Sequence, residues 1–180
     1  MKTLLIYRDD GPLAKLLGRA NPVAPSLLLL LAVLPLGVVI CLGERGDAVV
    51  AAVLAWLVLL GGLSRGGNTE ADRFAWAIPS LLRAGEYAAL IWLAPAATLA
   101  VLTPLALRHY DLVYALRYRG GPPTSPTGGW DGRLVIAFVL YVLDALPGGF
   151  YVLGGILGAL FLADTVASWT RNDDTQGDAA

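Results

Sequence analysis

Six long apolar runs separated by short polar segments dominate the chain, and each run predicts a hydrophobic helix. The runs are Pro25–Leu42, Ala48–Leu63, Phe74–Ala94, Ala96 to about Leu116, Leu134–Leu146 and Phe150 to about Trp169. Several are shorter than the roughly 20 residues that a helix perpendicular to a bilayer needs. The fifth run is the shortest, so a re-entrant segment is an alternative there. The pattern predicts an all-α integral membrane bundle of about six transmembrane helices, formed by residues 25–169 as one domain.

Polar segments flank this predicted bundle. Residues 1–24 contain DGPLAKLLGR, which predicts a short amphipathic helix with Asp10 as N-cap and Pro12 in its first turn. The helix either lies on the inner membrane surface or packs on the bundle, and the sequence leaves both open. Residues 170–180 are polar and acidic, which predicts a disordered tail.

Composition supports lipid as the solvent. Hydrophobic residues make up 57% of the 180 positions and charged residues 15%, whereas a soluble domain has roughly 25% charged residues. The net charge of −1 gives no argument for a nucleic-acid partner. One histidine and one cysteine are too few for a zinc site.

The placement of basic residues predicts the orientation. With the amino terminus inside, Arg45 is the one basic residue on the outer side and Arg83 lies within the third run. The other lysines and arginines then fall on the inner side, as the positive-inside rule requires. We therefore expect a multi-pass protein of the cell membrane with both termini in the cytoplasm.

Two charges interrupt the third run. Arg83 and Glu86 are three residues apart and share a helix face. Charges at this depth normally face the protein interior or a watery cavity. A structural ion pair and a functional pair are both open, and the neighbouring Tyr87 is a candidate donor to the same network.

The longest polar interruption runs from Leu107 to Arg133 and concentrates the candidate chemistry. Arginine binds phosphate bidentately, and carboxylates orient such arginines. GGWDGR predicts a tight turn that presents Trp130, Asp131 and Arg133, while interfacial anchoring is the alternative for this segment. Asp164 is predicted to face the same pocket as Asp111. The predicted phosphate-binding set, with Arg83 included, is Arg83, Arg108, Arg117, Trp130, Asp131 and Arg133.

Glu86, His109 and Asp111 are the candidate acid–base residues if the protein is catalytic. A magnesium ion held by oxygen ligands is possible, but the carboxylates lack a recognisable metal-ligand spacing, so no metal ligand is assigned. Gly154-x-x-x-Gly158 predicts a close helix contact, which serves either the bundle or a dimer, and the bundle is favoured. Pro35 needs a neighbour to satisfy the carbonyl that it frees.

Several segments between Arg8 and Trp169 carry a family resemblance: DDGPLAKLLGR, LLRAGEY, RHYDLVYALRYRG, GGWDGR and GGFYVLGG…VASW. They resemble an uncharacterised actinobacterial multi-pass membrane domain that is often fused C-terminal to a CDP-alcohol phosphotransferase domain. The resemblance implies a setting in lipid metabolism and such a phosphotransferase as partner, but no activity. The phosphotransferase motif itself is absent: Lys15 replaces its arginine, Ala24 its next glycine, and no aspartate pair follows.

Three functions remain as expectations. The first is a membrane module that binds or helps process a phosphate-bearing lipid or alcohol at the cytoplasmic leaflet, beside a CDP-alcohol phosphotransferase. The second is a stand-alone membrane enzyme acting on a phospholipid or polyprenyl-phosphate. The third is a small transporter or flippase built around Arg83 and Glu86.

Overall fold

Helices and two short 3-10 turns, without a strand, make up the described part of the computed structural model. It describes residues 8–19, 21–118 and 128–177, with side chains at 8–19, 21–114 and 128–167. The helices are α1 (Pro12–Leu17), α2 (Pro25–Leu42), α3 (Asp47–Leu63), α4 (Ile78–Leu93), α5 (Thr98–Tyr118), α6 (Gly129–Val142) and α7 (Gly148–Gly177). The 3-10 turns, Ser64–Gly66 and Ala75–Ala77, lie between α3 and α4. The all-α prediction is confirmed.

Three helical stretches are long and apolar enough to cross a membrane: Pro25–Leu42, Asp47–Gly66 and Gly148–Ala167. Their mean hydropathies are 2.6, 2.1 and 1.8. Large apolar side chains on them point outward, with Leu34 52% exposed and Ile156 53% exposed. Such surfaces suit a hydrocarbon solvent, because in water they would favour association. By contrast, α4 has 16 residues and α6 has 14.

Two boundaries differ from the sequence prediction. GGWDGR is not a turn that presents its side chains: α6 begins at Gly129, and Trp130, Asp131 and Arg133 are buried in its first turns. The left-handed backbone of Gly128 (φ 71°) and Gly129 (φ 75°) starts this helix. At the other end, α7 continues to Gly177, into the segment where composition predicts disorder.

Helices approach each other closely where one of them has a small residue. The α5 helix packs mainly on α7, where Gly154 approaches the Ala100 carbonyl so closely that a Cβ would not fit. This confirms that Gly154 serves contacts within the bundle. The α2 helix packs on α3 and α4, and α1 packs on α3 and α6.

Contacts at the two ends of the bundle fix the direction of the helices. At one end, Asp72 in the α3–α4 connection accepts hydrogen bonds from Ser26 at the start of α2. At the other, the Tyr141 hydroxyl near the end of α6 donates to Asp47 at the start of α3. These contacts place the start of α2 beside the α3–α4 connection and the end of α6 beside the start of α3.

Candidate functional site

A cluster of buried charges joins the start of the chain to α4 and α6. The Arg133 guanidinium donates from Nε to Glu86 Oε1 at 2.6 Å and from Nη1 to Asp9 Oδ2 at 2.9 Å. Arg133 is 0%, Glu86 1% and Asp9 7% exposed. Arg83 Nη1 lies 3.3 Å from Glu86 Oε2. Because each charge faces an opposite one, burial does not leave these side chains uncompensated.

The neighbouring carboxylate, Asp10, gathers a second set of donors. Arg8 Nε lies 2.9 Å from Asp10 Oδ2 and Arg65 Nη1 lies 2.7 Å from the same oxygen. The Trp130 indole N–H donates to Asp10 Oδ1 at 2.9 Å. Arg8 also donates to Ser64 Oγ at 3.0 Å. Three carboxylates and the side chains that hold them form what we call the ion cluster: Arg8, Asp9, Asp10, Arg65, Arg83, Glu86, Trp130 and Arg133.

Asp131 caps α1 across the fold. Its carboxylate accepts from the backbone N–H groups of Gly11 (2.6 Å), Leu13 (2.8 Å) and Ala14 (3.0 Å). These are the amides that a helix start leaves without partners. The prediction of Asp10 as N-cap is therefore wrong: Gly11 holds that position and has no side-chain cap of its own.

The amino-terminal segment thus packs on the bundle, the second of the two placements left open by its sequence. Ala14 is fully buried. The Trp130 backbone N–H donates to the Asp9 carbonyl at 3.1 Å, and Gly11 lies so close to the Gly128 carbonyl that a Cβ would not fit. Backbone contact of this kind requires glycine and holds residues 8–14 against the start of α6.

His109 pairs with Tyr87, which links α5 to α4. The Tyr87 hydroxyl and His109 Nδ1 are 2.5 Å apart, and the two rings are stacked with centroids 5.7 Å apart. Tyr87 was expected to donate to the Arg83–Glu86 network, but its observed partner is His109. The pair therefore ties two helices together beside the ion cluster.

A second polar group lies between α5 and α7. Arg108 Nη1 is 2.8 Å from Asp164 Oδ2 and 3.8 Å from Asp111 Oδ2. The Arg108 guanidinium also lies 5.3 Å from the centre of the Phe161 ring, a cation–π contact. The Arg108 side chain is fully buried, whereas the two carboxylates keep partial exposure. Asp164 and Asp111 therefore share Arg108 as a partner, but only Asp111 of the two lines the adjoining groove.

A groove of about 380 Å³ lies between α5 and α7, with Arg108 and Asp111 in its lining. Apolar side chains form most of its wall, and Arg108, Asp111 and Thr165 give it a polar end. Gly158 lies in the wall without a side chain, with Pro104 as its neighbour on α5. The residues that line the groove are Pro104, Leu107, Arg108, Tyr110, Asp111, Tyr114, Gly158, Phe161, Leu162 and Thr165.

The structure distributes the predicted site residues over these two places. Four of them belong to the ion cluster: Arg83, Glu86, Trp130 and Arg133. Asp131 lies beside it and accepts from the start of α1. The groove takes Arg108 and Asp111, while the Arg117 side chain lies outside the described residues.

The three acid–base candidates make separate contacts: Glu86 with arginines, His109 with Tyr87, and Asp111 with Arg108. Among the described residues, no three His, Cys, Asp or Glu side chains group closely enough to hold a metal ion.

Sequence reasoning missed four members of the ion cluster: Arg8, Asp9, Asp10 and Arg65. All four lie in polar segments that resemble ordinary solvated connections. The only local signal was the acidic pair directly before Gly11-Pro12, which indicated a helix start but not the burial of both carboxylates.

The fold and these two sites define an α-helical protein with apolar surfaces suited to a lipid bilayer. The chain belongs to a family of unknown function, DUF5941, whose model matches residues 1–180. Searches of the curated proteins and of the solved structures give no match.

Proposed function

We propose that this protein is a multi-pass membrane module that binds a phosphate-bearing lipid or alcohol in the α5–α7 groove, at the cytoplasmic leaflet. The observation that carries the proposal is the division of the groove into an apolar wall and one polar end. Ligand sites typically combine mostly apolar walls with a few placed polar groups. A lipid has the same division between its chain and its headgroup.

The polar end offers both kinds of hydrogen-bonding group that such a headgroup needs. Arg108 is held in place by Asp164 and by the Phe161 ring, so its guanidinium is pre-organised. Thr165 adds a hydroxyl and Asp111 an acceptor. In the proposed complex the phosphate oxygens accept hydrogen bonds from Arg108 and Thr165. The hydroxyl groups of the alcohol part donate to the carboxylate oxygens of Asp111.

The membrane setting of the proposal includes six crossings with both termini in the cytoplasm. The three apolar stretches support the setting, and the basic residues of the polar connections support the orientation. In this arrangement α4, α5 and α6 complete the six crossings. Cysteine labelling from each side, at Gly46 for the outer face and Arg73 for the inner face, tests the orientation. Labelling of both positions from the same side contradicts it.

The proposed partner is a CDP-alcohol phosphotransferase, and its support is the resemblance of the sequence segments rather than any contact. The groove would hold a lipid substrate or product of that enzyme. Co-purification of the two proteins from a co-expressing membrane tests the partnership. Recovery of the chain without the phosphotransferase in mild detergent counts against it.

The groove itself is tested by filling it. Gly158→Leu places a side chain where only the Pro104 Cβ lies within 4 Å, at 3.9 Å. Gly155→Leu is the matched control, because that position faces open space. Native mass spectrometry should show a phosphate-bearing lipid on the wild type and on Gly155→Leu, and its loss from Gly158→Leu.

A polar variant separates headgroup binding from simple coating of the apolar surface. Arg108→Gln should lower the share of phosphate-bearing lipid more than the share of neutral lipid. Equal lipid binding by the wild type, Gly158→Leu and Arg108→Gln would reject the groove as the site.

A further inference from the structure

The two carboxylates of Asp9 and Asp10 fill a pocket that the rest of the bundle lines with cations. Arg133 approaches Asp9 at 2.9 Å, and Arg65 approaches Asp10 at 2.7 Å. The Trp130 indole N–H donates to the other oxygen of Asp10, Oδ1. These donors come from α6 and from the turn after α3, so they form a frame that is separate from the amino-terminal segment.

Frame and segment are complementary in charge. The frame contains three arginines (Arg65, Arg83 and Arg133) and two carboxylates (Glu86 and Asp131), which together carry one net positive charge. Arg83 and Arg133 contact Glu86, whereas Asp131 accepts from backbone N–H groups of the segment. In the segment, Arg8, Asp9 and Asp10 together carry one net negative charge. Placing the segment in the frame therefore neutralises these residues in a buried setting, where unbalanced charge is costly.

The frame also has the chemistry of a phosphate site. Guanidinium groups and an indole N–H are donors, and the oxygens that they hold here belong to anions 2.7–2.9 Å away. Phosphate oxygens accept the same charge-assisted hydrogen bonds, and arginine forks suit them.

The backbone of the segment is held in an unfavourable conformation. Asp9 has φ 53°, in the left-handed region that non-glycine residues rarely adopt. This conformation lets two consecutive carboxylates meet the frame, Asp9 at Arg133 and Asp10 at Arg65. Strain of this kind is retained where the surrounding contacts impose it, and it is relieved when they are released.

We propose that Asp9 and Asp10 are a built-in anionic occupant of a phosphate site, and that a phosphate or pyrophosphate group displaces the segment from it. The contact is autoinhibitory: the site opens when residues 8–17 leave the bundle. The site is separate from the α5–α7 groove and does not depend on the function proposed for that groove. The phosphate group belongs either to a small soluble ligand or to a lipid headgroup.

Hydrogen exchange of the wild-type protein tests the displacement. The Gly11, Leu13 and Ala14 amides are held by Asp131, so a peptide that covers residues 8–17 reports the docked state. The control is the amide of Ser26, which Asp72 holds in the same way at the start of α2. Inorganic pyrophosphate, added to protein in neutral detergent, should accelerate exchange of the 8–17 peptide several-fold and leave the Ser26 peptide unchanged.

A second arm identifies the source of the phosphate. The protein is reconstituted in phosphatidylcholine vesicles, with or without phosphatidylglycerol. Acceleration by pyrophosphate supports a soluble ligand, and acceleration by phosphatidylglycerol alone supports a lipid headgroup. Unchanged exchange of the 8–17 peptide in both arms overturns the proposal.

A variant at the edge of the pocket avoids the risk of misfolding. The Arg65 side chain is 28% exposed, so Arg65→Gln loosens Asp10 without opening the core. Exchange of the 8–17 peptide should rise about twofold to fivefold without ligand, and the response to pyrophosphate should weaken because a donor is lost. An undiminished response in Arg65→Gln contradicts the assignment of Arg65 to the site.

Discussion

The Trp56 indole N–H donates to the Leu31 carbonyl at 2.9 Å. Leu31 lies four residues before Pro35, which has no N–H to offer that carbonyl. The sequence predicts that a proline inside an apolar helix needs a neighbour to satisfy the freed group. The α3 helix supplies it, so this hydrogen bond joins two helices where the α2 backbone lacks a bond of its own.

Trp56→Phe should destabilise the fold by about 1 kcal/mol, because it leaves the Leu31 carbonyl without this donor. In a Pro35→Ala background the alanine N–H can take over, so the same substitution should cost less. Unfolding midpoints of the four proteins, measured in mixed detergent, give the coupling between the two sites. Equal effects of Trp56→Phe in both backgrounds would show that the indole acts only through packing.

Arg133→Gln should lower the free energy of unfolding by about 3–5 kcal/mol, because it leaves Glu86 and Asp9 buried without their cation. Arg133→Lys keeps the positive charge but not the forked guanidinium, so its stability should lie between those of Arg133→Gln and the wild type. Arg73→Gln is the matched control, since Arg73 is exposed. If Arg133→Gln instead retained wild-type stability and lost only lipid binding, Arg133 would be the phosphate ligand that the sequence predicts.

Asp131→Ala should release α1 from the bundle, since three backbone amides lose their acceptor. A cap of this kind contributes about 1–2 kcal/mol, so trypsin cleavage at Lys15 should accelerate about fivefold to thirtyfold. Asp131→Asn keeps one acceptor oxygen and should show a smaller effect. Glu44→Ala, at an exposed position, serves as the control. Equal cleavage of all four proteins would mean that backbone packing alone holds α1.

Asp72 should make stability depend on acid pH. Burial raises the pKa of its carboxyl, but hydrogen bonds from the Ser26 side chain, the Ser26 amide and the Phe74 amide outweigh burial and hold the pKa below 3.8. The ionised form is therefore favoured in the folded state. Its contribution is present above pH 3.8 and declines as pH falls through the lowered pKa.

The unfolding midpoints of wild type and Asp72→Asn, measured between about pH 2 and pH 7, test this dependence. The difference between the two proteins should be largest near neutrality and shrink toward the acid end. Glu70→Gln, at an exposed position of the same connection, should track the wild type. A difference that stays constant with pH would assign the effect to the shape of the side chain rather than to its charge.

Local patterns predicted the elements well, because an apolar run and its flanking turns are read within one segment. The bounds of α2 agree with the sequence prediction, and the Arg83–Glu86 and Arg108–Asp111 contacts follow from a spacing of three on a helix. The failure at GGWDGR has a physical reason. Arg133 is buried because the carboxylates of Glu86 and Asp9 compensate it, and Asp131 because backbone N–H groups of α1 donate to it. No local pattern reports those partners.

The sequence by itself determined an all-helical chain with apolar surfaces, since hydropathy and helix spacing are properties of neighbouring residues. Only the tertiary structure decided which partner each buried charged side chain has. Asp9 meets Arg133 across 124 positions, and Asp10 meets Trp130 across 120. Such contacts form because a buried carboxylate is costly unless an opposite charge or a hydrogen-bond donor lies beside it, and the packing of the helices decides which groups meet.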